Sequence, residues 1–166
     1  MSRDSVNVWD RFLAVLLMLG GILGIGLSVY MGMRMLRIHW VYGVLVAAFL
    51  LVFVWSGLSG LRLWRGERRG WKWATILFAL QIPILTLPGL SYEYYTGIAI
   101  PVMGGHVDKW LTFSVGADAN FYLDTRITDW VYGVNVFALA ATVYLLTRRR
   151  SYVAADAAQP PAPATP

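Results

Sequence analysis

The sequence predicts an all-α membrane protein: four transmembrane helices paired as two hairpins, with a small extracytoplasmic β-hairpin between helices three and four. Three observations predict it. The 166 residues are 58% hydrophobic and only 14% charged, too apolar and too sparsely charged for an ordinary water-soluble domain. The apolar residues gather into four charge-free blocks, 12–33, 40–61, 73–92 and 130–147. At about 1.5 Å per residue each block can cross a hydrocarbon core of roughly 30 Å, the last only just. Finally, Trp40-Val41-Tyr42-Gly43-Val44 returns as Trp130-Val131-Tyr132-Gly133-Val134, with Val46 and Ala48 matching Val136 and Ala138 at the same spacing. Self-similarity of this kind suggests two related units, helices one and two and helices three and four, entering the bilayer from one side.

Taken in order, the polar start carries Arg3, Asp4, Asp10 and Arg11, with Trp9 placed for the headgroup level. Helix one then shows Gly20, Gly24, Ser28 and Gly32 at successive i+4 positions, a small-residue ridge that lets another helix approach backbone to backbone. Such a ridge serves either a specific oligomer or packing within the chain, and the second is the preferred reading. Arg34, Arg37 and His39 mark a turn too short to do more than join antiparallel helices. Helix two ends near Ser56, Gly57 and Gly60, small residues suited to close contact. Arg62, Arg65, Arg68, Arg69 and Lys72 follow, interleaved with Trp64, Trp71 and Trp73 as a basic and aromatic interfacial segment.

Helix three is interrupted by Gln81, Pro83, Thr86, Pro88 and Gly89, so it is expected to kink or break. The outer segment, 93–129, divides in two. Its first part, up to Gly105, is a short interfacial or re-entrant stretch. Its second part reads as a β-hairpin, with alternating Leu111, Phe113 and Val115 before turn residues at 116–120 and a return strand to Ile127. Helix four carries Asn135 and stops at Arg148-Arg149-Arg150, leaving 151–166 as an Ala- and Pro-rich disordered tail. Ten of the fourteen Lys and Arg residues fall on the side of the termini and of the 62–72 segment. The positive-inside rule therefore puts both termini in the cytoplasm and the protein in the inner membrane, although Arg34 and Arg37 dissent.

Chemistry is harder to read. There is no cysteine, which removes thiolate catalysis and iron–sulfur ligation. No histidine lies within an apolar block, which argues against a haem held between membrane helices. His106 and Asp108, with Asp118 or Asp124, have no metal-site spacing and read as solvated loop charges. No hydrolase or nucleotide-binding motif occurs, and no ionisable residue interrupts the four blocks, Glu93 at an edge being the nearest. Neither a cofactor nor a metal is expected, and the basic residues report orientation rather than nucleic-acid binding. What remains is a candidate polar intramembrane layer, Ser28, Gln81, Thr86 and Asn135, which counting from the helix ends brings to similar depths. The functional expectation is a non-enzymatic accessory or scaffold subunit, whose partners are the lipid bilayer and either its own copies or another membrane protein. A small carrier for a neutral or amphipathic solute is the first alternative, and a lipid-acting membrane enzyme the second.

Overall fold

In the computed structural model, which describes residues 6–35, 40–105, 107, 109–122 and 130–157, two long helices are followed by a mixed helical and β unit. The elements run α1 (Val8–Met35), α2 (Trp40–Trp64), α3 (Arg68–Leu80), β1 (Pro83–Leu87), β2 (Leu90–Ala99), β3 (Pro101–Gly105), β4 (Ser114–Tyr122), β5 (Val131–Asn135) and α4 (Val136–Ala157). The strands form one antiparallel sheet in the order β3-β5-β1-β2-β4. An all-α fold of four membrane helices is therefore wrong. Among the described residues, only α1 and α2 are long and apolar enough to cross a membrane.

The first two helices follow directly from composition. Both are uninterrupted by proline, and α1 opens with a capping arrangement in which Asp10 Oδ2 accepts the backbone N–H of Asn7 at 2.8 Å. Their contact uses the small residues. A Cβ on Gly21 would lie 2.7 Å from the Gly57 backbone nitrogen, and one on Gly60 would lie 2.7 Å from the Ala14 carbonyl oxygen. The two backbones thus approach as closely as glycine allows.

The expected helix three fails at its polar interruption. α3 ends at Leu80, and Pro83, with no N–H to donate and a ring that would clash with a helical carbonyl, opens β1 instead. Pro88-Gly89 then makes a two-residue reversal, Leu87 facing Leu90 and Gly89 at φ 85°, which fits the proline and glycine positions of a type II turn. Helix four fails in mirror image: 131–135 is strand, and the helix starts only at Val136. Each half-helix continues into a half-length strand. The expected 110–127 hairpin is also absent, because 116–120 continues β4 rather than turning, and β4 pairs along its whole length with β2. The 93–105 stretch is strand rather than re-entrant loop, and residues 110–112 pair back onto β3. The second Trp-Val-Tyr-Gly copy lies at β5 while the first opens α2, so the repeat does not mark two related hairpins. α4 itself runs through the three arginines to Ala157.

The core sits where four helix segments meet, between Leu13, Ala14 and Leu17 of α1, Leu63 of α2, Trp71, Ala74, Leu77 and Phe78 of α3, and Ala138, Ala141 and Leu145 of α4. Edge-on ring contacts join α2 to α3 through Trp55 and Trp73, at 5.0 Å, and α3 to α4 through Phe78 and Phe137, at 6.3 Å. Beyond this cluster the sheet lies against α1: the Gly20 backbone meets Thr96 and Gly97, and Gly97, at φ 89°, has Leu16 against its own backbone.

Candidate functional site

Two buried polar sites are present. The first is a layer where helices become strands. At the end of α3, Gln81 is fully buried; its Nε2 donates to Thr96 Oγ1 and its Oε1 accepts the Thr96 backbone N–H, both at 3.0 Å. The carboxamide thereby does for β2 what a neighbouring strand would do. At the start of α4, Asn135 is equally buried, and its Oδ1 accepts from the Ile100 N–H at 3.1 Å and the Ala138 N–H at 3.3 Å. The second of these is an N-cap, satisfying an orphan donor of the first helical turn. The Asn135 N–H donates to the Ile82 carbonyl at 2.9 Å, and the Val136 N–H to the Ile100 carbonyl at 3.0 Å. Three junctions, α3 to β1, β2 to β3 and β5 to α4, are thereby laced together at one level.

Of the four residues expected to share a polar layer, Gln81 and Asn135 are at this level. Thr86 is not among its bonds: it lies near the β1–β2 turn, its hydroxyl 3.1 Å from that of Ser91. Ser28 is buried on α1. The ridge on α1 splits between neighbours, with Gly20 against β2, Gly24 against the Phe53 ring and Gly32 against Val46. Residues His39, His106, Asp108 and Asp124 lie outside the described residues. Among the described residues no cluster of three metal-binding side chains occurs.

The second site is one that sequence reasoning missed. Asp10 is completely buried at the start of α1, where the Tyr144 hydroxyl donates to Oδ1 at 2.9 Å and Arg148 Nη2 stands 3.7 Å from Oδ2. Burial, and after it the bond to Asp10, push the Tyr144 hydroxyl above its ordinary value, so it stays a neutral donor. A signal was available: Asn7 and Asp10 stand three residues apart just before an apolar run, the spacing of a capping pair. The partners from α4 had no local signal at all. Around this end lie Arg11, stacked 5.6 Å from the Trp64 ring centroid, and a recess of about 590 Å³ bordered by Arg11, Arg65 and Glu67.

On the sheet, Glu93 faces Asn120 and Tyr95 faces Asp118 across the β2–β4 ladder. Burial and then the nearby Asp118 raise the Glu93 carboxyl above its usual value. At the junction layer the two carboxamides and the Thr96 hydroxyl are engaged in hydrogen bonds between elements. They hold elements together. No known protein family, curated protein or solved structure matches the chain.

Proposed function

We propose that this chain is a non-enzymatic assembly or scaffold subunit of the inner, cytoplasmic membrane, anchored by the α1–α2 hairpin with both termini in the cytoplasm. The observation that supports membrane residence is the exterior. Large apolar side chains are exposed along α1 (Leu19, Ile22, Leu23), α2 (Leu51, Leu58) and α4 (Leu139, Val143, Leu146). A monomer in water rarely exposes so many large apolar side chains on its helices, whereas hydrocarbon can cover them. The cations support the orientation: the start of α1, the end of α2, the start of α3 and the end of α4 share one end of the molecule, with Arg11, Arg62, Arg65, Arg68, Lys72 and Arg148 around it. The scaffold role rests on the junction layer and on the Asp10 site, whose polar groups are engaged in joining elements.

Impermeant thiol labelling of single cysteines in this cysteine-free chain tests the reading. A cysteine at Met35, where α1 ends before the turn to α2, should label from outside intact cells, and one at Glu67 only after permeabilisation. The opposite pattern overturns the orientation, and release of the protein by alkaline carbonate overturns the anchor. Rapid labelling of a cysteine at Asn135, together with solute uptake, would favour a carrier instead.

A further inference from the structure

The contact between α1 and α4 is incomplete and leaves a cleft of about 230 Å³. Trp9, Phe12 and Leu13 form one wall, and Phe137, Ala140 and Tyr144 the other. From Phe137 to Tyr144 the cleft follows about 10 Å of helix axis, two turns of α4. Its rim continues into Leu139 and Val143, both exposed, so a cleft in a membrane-embedded chain opens onto hydrocarbon. The two ends differ in chemistry. The Phe137 end is apolar. At the other end the Tyr144 hydroxyl is turned to Asp10, and Arg148, one-third exposed, comes one helical turn later, with Arg149 and Arg150 next in sequence. Among the described residues the acids at this end are Glu67 and Asp10, and Asp10 already accepts from Asn7 and Tyr144 and faces Arg148. Against them stand Arg11, Arg65 and Arg148, so the charge at the polar end is net positive among the described residues.

A narrow apolar groove ending at cations matches an amphiphile with one chain in the groove and a negative headgroup at its mouth. We propose that the α1–α4 cleft binds an anionic phospholipid, one acyl chain lying between Phe12 and Ala140 and the phosphate beside Arg148. The proposal rests on the membrane reading above and adds a specific lipid contact to it. Occupancy would complete the α1–α4 packing that the protein leaves open.

The test is native mass spectrometry of the full chain in detergent, titrated separately with phosphatidylglycerol and phosphatidylcholine of the same acyl chains. The wild type should retain phosphatidylglycerol by about fivefold over phosphatidylcholine, the factor that one nearby basic residue supplies. Ala140→Trp, at an exposed position, fills the cleft and should abolish retention of both lipids with the melting temperature unchanged. Arg148→Gln should erase the preference while leaving chain binding. Leu51→Ala, on α2 and away from the cleft, should behave as wild type. Equal retention of the two lipids by the wild type, unaltered retention in Ala140→Trp, or a dimer that Ala140→Trp dissociates would each overturn the proposal, the last by assigning the cleft to a second copy. Carbonate extraction of the same membranes reports on the anchor independently, so a failed lipid site and a failed membrane reading are told apart.

Discussion

The hydroxyl of Tyr144 donates to the carboxylate of Asp10 at 2.9 Å, joining residues 134 positions apart in sequence and locking the last helix to the first. Asp10 is fully buried, so the carboxylate depends on its few donors. Tyr144→Phe keeps the ring and removes one of them. Hydrogen bonds to charged groups contribute about 1.5–3 kcal/mol, and the variant should lose that much in reversible unfolding in detergent. A loss below about 0.5 kcal/mol would show that water reaches Asp10.

The Gln81–Thr96 clamp is expected to behave as one unit. Gln81→Leu leaves the Thr96 N–H buried and without its acceptor and should cost about 1–3 kcal/mol. Thr96→Val removes only the hydroxyl acceptor of the Gln81 amide. A double-mutant cycle should therefore return a coupling of about 0.5–3 kcal/mol, and strict additivity would contradict the clamp.

Glycines on α1 should divide sharply by what faces them. Gly21→Ala pushes a methyl group into the α2 backbone at Gly57 and cannot be relieved by rotating a side chain, so the helix hairpin must separate. Gly26→Ala meets nothing within 4 Å and should stabilise α1 by up to about 1 kcal/mol through helix propensity. Thermal unfolding of the two variants in the same detergent, moving in opposite directions, is the expected outcome.

Glu93 gives the fold a pH dependence. Its folded-state carboxyl is raised by burial and by Asp118, so the folded protein holds that proton more tightly than the unfolded chain does. The group's contribution is present below the unfolded carboxylate value and is lost as pH rises through the raised folded value. Glu93→Gln should flatten this part of the stability profile, measured by unfolding across the mildly acidic range. An unchanged slope would place the dependence elsewhere.

The two helices long and apolar enough to span were legible because 12–33 and 40–61 contain no proline or charge to break a helix. The glycines told of close contact but not of which neighbour, since the same i+4 spacing serves a helix and a sheet. The sheet was hidden by a property it shares with a membrane helix: 73–92 and 130–147 are continuously apolar, and only Pro83, Pro88-Gly89 and the β-branched and aromatic run Tyr92, Tyr94, Tyr95, Thr96, Ile98 argue for strands. The length of these two blocks outweighs those signals. The Trp-Val-Tyr-Gly repeat shows the same limit from the other side. Five identical residues are helical where a charge-free run to Leu61 follows, and at 131–134 extended where β1 and β3 offer ladder partners on both sides. Gln81 and Asn135 were found as buried polar residues, but their common level depends on the breaks beside them.

The strand order carries a consequence for biosynthesis. β5 is the last strand to leave the ribosome, yet it lies between β3 and β1. Until it arrives, β1, β2 and β4 can pair, but β3 has no strand beside it in the sheet, and α3 lacks the Ala138, Ala141 and Leu145 side of its core. Domains generally assemble as their chain is made, and long-range strand pairing is the slow part. Here the final segment is a keystone: a nascent chain halted before Trp130 exposes two unpaired strand edges and half a helix core at once, which makes the unfinished molecule conspicuous to chaperones and proteases, and the finished one abruptly less so.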